Sequence, residues 1–147
     1  MKLPEGKKGG GNIIIVGCGR LGANLANTLS DDEKSVVIID QNKDSFRKLS
    51  SSFGGKTLVG DATEISVLTD AEIEKASTVI SVTDRDNTNI LIAQLAKELF
   101  NIEEVVARLY DPECGCVYDE FGIDTICPAV LSRKEIDKLL GLPSGDE

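Results

Sequence analysis

The chain has 147 residues, 41% of them hydrophobic and 28% charged, with a formal net charge of −9. That is about one domain's worth of sequence with the composition of an ordinary globular protein. The acidic balance argues against nonspecific nucleic-acid binding, which needs a basic surface, and no apolar run approaches the roughly 18 residues of a membrane-spanning helix.

Residues 1–11 are polar and glycine-rich and read as a flexible leader, without the apolar run of a signal peptide. "NIIIV" (12–16) reads as a strand, and residues 19–30 as a helix with Leu21, Leu25 and Leu29 on one stripe. "SVVIID" (35–40) is a second strand, residues 42–53 a helix with Phe46 and Leu49 facing inward, and "KTLVG" (56–60) a third strand. A short helix over 64–71 precedes the fourth strand, "STVISV" (77–82), and a long helix follows over 85–100. "EVVARLY" (104–110) is the fifth strand, residues 112–122 a helix, and "IDTIC" (123–127) the sixth strand. The last helix, 128–141, has its proline where a helix begins and its glycine where one ends. Residues 142–147 read as a frayed tail. Strands one to four are continuous apolar runs, which indicates burial on both faces, as in a parallel sheet covered by helices. The alternation predicts an α/β fold: a Rossmann-like, doubly wound, six-stranded parallel sheet in a single lobe, with ligands at the carboxyl ends of the strands.

The first strand runs into Gly17-Cys18-Gly19-Arg20-Leu21-Gly22, a G-x-G-x-x-G turn that opens a helix inside a strand–helix–strand unit. In such a turn the first glycine permits the tight bend, the second lets backbone approach phosphates, and the third lets the helix pack close to the sheet. Free N–H groups and the positive helix end then hold an anion. Asp40 ends the second strand, 18 positions after Gly22. A carboxylate there accepts hydrogen bonds from ribose hydroxyls and repels a 2′-phosphate, which disfavours NADP. Gln41, beside it, joins the candidate cofactor residues. "SSSFGGKT" (50–57) contains Gly55-Lys56-Thr57, but Ser50 stands where a P-loop needs its first glycine and the segment precedes a strand, so it is not a P-loop.

Two further strand ends carry polar clusters: Gly60, Asp61, Ala62 and Thr63 after the third, and Thr83, Asp84, Asn87 and Asn89 after the fourth. Both lie at the ligand rim of this fold. Helix capping, with Thr63 and either Thr83 or Asp84 as N-caps, and ligand contact are compatible readings. Arg108, a charge in an apolar strand, either snorkels to the edge or meets a phosphate or carboxylate. There is no histidine, which removes the commonest general base and metal ligand. Cys18, Cys114, Cys116 and Cys127 read as reduced, buried thiols, and Cys114-Gly115-Cys116 does not complete a metal site by itself.

"IIIVGCGRLG", "VIID", "VGDATE", "SVTDRDNTN", "VARLYDPE" and "FGIDTICPA", in this order and spacing, resemble the TrkA-N, or RCK N-terminal, domain over residues 12 to about 140. This is the cytosolic nucleotide-binding regulatory domain of prokaryotic potassium uptake systems and channels. The resemblance implies that the turn from Gly17 to Gly22 holds phosphates and Asp40 the ribose. It places Asp61 and Ala62 beside adenine, Thr83 and Asp84 on the far side of the cleft, and Arg108 at the ligand. Arg20 matches members whose arginine reaches the outer phosphates; otherwise it is a solvated side chain at the helix start. The chain departs from the family at Ala129, where many members carry a glutamate that serves a divalent cation, and at Cys114. It also stops where many members continue into a second ligand-binding lobe.

The function so implied is a cytosolic regulatory subunit, peripheral to the inner face of the membrane. It binds NAD(H), ATP, ADP or AMP without consuming it, assembles as a homodimer or ring, and couples ligand state to an integral membrane potassium transporter. Two alternatives stand beside it. A compact NAD-dependent oxidoreductase would need an acid or base near the nicotinamide; neither Tyr110 nor Tyr118 is followed four residues later by lysine. A ligand-free assembly module would use the apolar residues of 89–99 or of the last helix, although packing on its own sheet accounts for 89–99.

Overall fold

The structure is a computed structural model that describes residues 10–114 and 118–143. Six strands alternate with helices: β1 (Asn12–Val16), α1 (Arg20–Asp31), β2 (Val36–Asp40), β3 (Lys56–Val59), α2 (Ile65–Asp70), β4 (Ala76–Ser81), α3 (Asp86–Gln94), β5 (Glu104–Arg108), β6 (Asp124–Ile126) and α4 (Pro128–Leu140). The strands form one sheet in the order β3-β2-β1-β4-β5-β6, and every pairing is parallel. The order reverses between β1 and β4. This is the doubly wound arrangement expected of the sequence, and it opens a crevice at the reversal because the crossovers leave to opposite faces there.

Period-two alternation divides the core. Ile14, Val16, Val37, Ile39 and Val79 face α2 and α3, packing with Leu68, Ile90, Ile92 and Ala96. Ile15, Ile38 and Val36 face the other way, against Ala23 and Ala26 of α1, with Leu21, Leu25 and Leu29 packed around them. The central strands β1 and β2 are therefore buried on both faces, as their unbroken apolar runs require. The third strand is not. β3 is an edge strand, with Lys56, Thr57 and Val59 exposed and Leu58 half-buried. Two apolar residues, Leu58 and Val59, in a four-residue strand are too few to tell a central strand from an edge.

Two predicted helices change form. Residues 42–53 make only a 3₁₀ helix at Lys43–Lys48, after which Leu49 is extended. The serines that follow bond locally: Ser50 Oγ accepts from Ser52 N–H at 3.0 Å and lies 2.7 Å from Ser52 Oγ. Such side-chain bonds offer the backbone an alternative to the helix. The long helix over 85–100 is α3 followed by a π-helical turn at Leu95–Leu99. There the Lys97 ammonium donates to the carbonyls of Ile102 and Glu103 at 3.1 and 2.9 Å. The fifth strand stops at Arg108 rather than Tyr110, and Pro112–Cys114 is a 3₁₀ turn. The rest of the predicted 112–122 helix through residue 117, with Cys116, lies outside the described residues, as do residues 1–9 and 144–147. Among the described residues no helix is long and apolar enough to cross a membrane.

Candidate functional site

The strands stay zipped to the point of reversal. Gly17 N–H donates to the Ile39 carbonyl at 2.8 Å, and Val82 N–H to the Val16 carbonyl at 2.9 Å. At that crowded junction Gly17 has φ +106°, and a Cβ on it would sit 2.8 Å from the Val82 carbonyl oxygen. A Cβ on Gly22 would overlap the Gly17 carbonyl oxygen, so α1 can lie against the turn only through hydrogen. Gly19 differs: a Cβ there would meet nothing within 4 Å. It is the N-cap of α1, and no side chain caps that end. The first-turn N–H groups and the positive end of the helix dipole are thus left for an anion.

Above the turn lies a cleft of about 380 Å³, walled by the ends of β1, β2 and β4 and by Gly60-Asp61-Ala62 after β3, with Arg108 of β5 at the far side. Asp40 closes the β2 side. Its Oδ2 accepts from Cys18 N–H and its Oδ1 from Asn42 N–H, each at 2.8 Å. The carboxylate thereby clamps the glycine turn to the end of β2. An ionised carboxylate has about four acceptor positions, so it can still receive ribose hydroxyls. The Cys18 thiol is buried and donates to the Ser45 carbonyl at 3.3 Å. Burial first, then the Asp40 charge, push its pKa up, while the Lys48 ammonium pulls it back.

The opposite wall is tied by amide chemistry. Thr83 and Arg108 both face the cleft, and both hang from Asn89 of α3, which is wholly buried. Asn89 Oδ1 accepts from Thr83 N–H at 2.9 Å and Thr83 Oγ1 at 2.6 Å; its Nδ2 donates to the Thr83 and Arg108 carbonyls. The Arg108 Nη2 donates to the Val82 and Thr83 carbonyls at 2.9 and 3.0 Å, and its guanidinium carbon stands 5.2 Å from the Tyr110 ring centroid. Its Nε is buried without a hydrogen-bond partner among the described residues. The Asp86 carboxylate accepts from Tyr110 and Asp111 N–H groups, fixing the loop after β5.

At the β3 end, Asp61 Oδ1 accepts from Thr63 N–H at 2.9 Å and Thr63 Oγ1 at 2.7 Å. Those bonds hold its pKa below the ordinary carboxylate value. The expected caps move accordingly. Thr63 is spent on Asp61, and the N-cap of α2 is Glu64; the N-cap of α3 is Arg85, not Thr83 or Asp84. Neither capping residue bonds through its side chain.

Of the residues singled out from sequence, Gly17, Cys18, Gly19, Asp40, Gln41, Gly60, Asp61, Ala62, Thr83, Asp84 and Arg108 line the cleft. Arg20, Leu21, Gly22, Thr63 and Asn87 do not. Arg20 and Asn87 are exposed at the starts of their helices, Leu21 packs into the core, Gly22 is buried under the turn, and Thr63 faces Asp61. Asn42, Ser45 and Lys48 line the cleft and were not singled out. Their spacing of three explains this, because a 3₁₀ helix eclipses residues i and i+3, whereas an α-helix fans them apart. Among the described residues no group of three or more acidic, cysteine or histidine side chains could hold a metal ion.

This architecture has known relatives. The family model of the TrkA-N domain matches residues 13–128. The Trk system potassium uptake protein TrkA of Streptomyces coelicolor is 40% identical over 136 residues, which is 92% of this chain and 60% of that protein. The chain thus spans less than two thirds of that relative's length. Among solved structures, the TrkA-N domain of the Escherichia coli inner membrane protein ybaL superposes with a TM-score of 0.79 at 20% identity, over 88% of this chain and 96% of that one. The Kef C-terminal domain of Shewanella denitrificans in its AMP-bound form superposes at 0.70 with 25% identity, over 90% and 84%. With the family's sequence pattern over most of its length and the family's fold beneath it, the chain belongs to the TrkA-N domain family.

Proposed function

We propose that this domain senses an adenine nucleotide and regulates potassium transport. NAD(H), ATP, ADP or AMP binds in the cleft and is not consumed. Its phosphates rest on the turn from Gly17 to Gly22, with Arg20 reaching the outer phosphates. Asp40 holds the ribose, with Gln41 beside it. Gly60, Asp61 and Ala62 flank the adenine, and Thr83, Asp84 and Arg108 complete the far side. The observation that carries this reading is the cleft at the strand-order reversal. It joins an uncapped helix N-terminus to a carboxylate already fixed at the end of β2. Such a constellation positions phosphate and ribose of one ligand. The AMP-bound form of the Kef relative and the potassium uptake named for the Streptomyces relative support the same reading.

The ligand state then reaches an integral membrane potassium transporter through a coupling free energy between the two sites, with the domain on the cytoplasmic face of the membrane. Assembly into homodimers or rings supplies the geometry. α4 supports this, since Leu131, Ile136, Leu139 and Leu140 are all exposed on it. The domain comprises residues 12–141.

A thermal-shift panel of NAD, NADH, ATP, ADP and AMP tests the proposal. A ligand at 100 times its dissociation constant stabilises the fold by about 2.7 kcal/mol, a shift of several degrees for a chain of this size. A folded sample that shifts with none of the five sinks it. Light scattering with and without the binding nucleotide tests whether assembly is linked to the ligand.

A further inference from the structure

Resting on the nucleotide reading above, we infer that Asn89 is a positioning residue of the nucleotide site: its buried amide sets Thr83 and Arg108 in the geometry that meets the ligand.

Asn89 is 0% exposed on the inner face of α3. Its Oδ1 accepts from Ser81 Oγ at 3.1 Å, Thr83 N–H at 2.9 Å and Thr83 Oγ1 at 2.6 Å. Its Nδ2 donates to the Thr83 carbonyl at 3.1 Å and the Arg108 carbonyl at 2.8 Å. The amide orientation is fixed by this set, because a backbone N–H requires an acceptor and two carbonyls require donors. No polar capacity is left over for a ligand, so Asn89 acts only through what it holds. It holds two cleft-lining residues of that wall, Thr83 and Arg108. The Thr83 carbonyl takes one bond from Asn89 Nδ2 and another from Arg108 Nη2, so main chain and guanidinium share one anchor. Arg108 is gripped twice, by its own carbonyl and by its side chain. Without this amide Thr83 loses the acceptor of its N–H and hydroxyl, and the carbonyls of Thr83 and Arg108 each lose a donor, so the wall that seats the guanidinium is loosened.

The test is a double-mutant cycle on the full chain. Dissociation constants are measured by titration calorimetry for the tightest binder among NAD, NADH, ATP, ADP and AMP. The temperature is one at which circular dichroism shows each variant folded. Asn89→Ala is expected to weaken binding at least tenfold, and Arg108→Ala likewise. The double variant should lose less than the product of the two single losses, because part of what Asn89 does passes through Arg108. Fully multiplicative losses would mean that Asn89 does not act through Arg108, and overturn the inference. Asn89→Asp keeps the acceptor bonds but turns an oxygen toward two carbonyls and a charge toward the guanidinium. It should also lose at least tenfold, and it carries the same cycle if Asn89→Ala does not fold. If neither folds, the side-chain NH₂ signals of Asn89 in ¹⁵N-labelled wild type decide. Movement on nucleotide addition supports the inference, and unmoved signals refute it. A wild type that binds none of the five overturns the nucleotide reading and this inference with it; a wild type that binds while folded Asn89 variants bind equally overturns this inference alone.

Discussion

Two glycines of the turn, Gly22 and Gly19, should fail in different ways when each is changed to alanine. Gly22→Ala would drive its methyl into the Gly17 carbonyl oxygen, main chain of a residue whose N–H is bonded to Ile39 of the next strand. Overpacking of this kind costs about 1–3 kcal/mol and sometimes more. At roughly 2–4 °C per kcal/mol for a chain of this length, melting should fall by several degrees. Gly19→Ala is the informative contrast. Gly19 sits at φ −85° and ψ −161°, which alanine adopts freely, and its methyl would meet nothing within 4 Å. Replacing glycine at a compatible position stabilises by about 0.4–1 kcal/mol through the unfolded chain, so melting should hold or rise slightly. The same methyl would stand where phosphate must approach backbone N–H groups. Losing one charge-assisted bond costs about 1.5–3 kcal/mol, hence at least a tenfold weaker nucleotide. Differential scanning fluorimetry without ligand, and calorimetric titration with it, separate the two axes. The reasoning is refuted if Gly19→Ala melts as low as Gly22→Ala, or if it is stable and binds as tightly as the wild type.

Asp40→Asn can accept through only one atom, so either the Cys18 or the Asn42 N–H loses its partner. Urea titration should show a loss of about 1–3 kcal/mol together with weaker binding of any ribose-held ligand. Lys48→Glu should leave stability within about 0.5 kcal/mol, because the side chain is exposed. It should weaken anionic nucleotides more at low salt than at high salt, and equal binding at both would refute a role for that cation. The Cys18 thiol has a raised pKa in the fold, so the unfolded chain ionises first as pH climbs. Its contribution is present below the ordinary thiol pKa and is lost as pH rises through the folded value; Cys18→Ala should flatten the alkaline fall of the urea midpoint. Asp61 is the reverse. Its lowered pKa adds stability above the ordinary aspartate range, lost as pH falls through the folded value. Thr63→Val should move that titration upward in carboxyl-detected NMR.

Local rules in the sequence settled much of this protein. The apolar runs of β1 and β2 pointed to a doubly covered sheet, since an unbroken apolar strand needs a packed layer on each face, and the strand–helix alternation made it parallel. Gly17, Gly22 and Asp40 announced the crevice at its strand ends because their spacing is set by one turn, one helix and one return strand, all contiguous in the chain. What lay beyond reach depended on partners distant in sequence or on a change of helical period. The exposure of β3 follows from being last in the sheet, which no residue within it encodes. Lys48 and Ser45 enter the cleft only because the segment after β2 tightens to three residues per turn. Asn89 looked like one rim residue among several, and Asn87, two positions earlier, looked equally able to reach the ligand. The tertiary structure decided between them. α3 packs with Asn89 beneath the ends of β4 and β5, where five hydrogen bonds can be made at no cost in exposed polar surface, and leaves Asn87 in solvent. The sequence determined that a site would form at the strand ends. Only the packing of strands far apart in the chain determined which side chains enter it and which hold it in place.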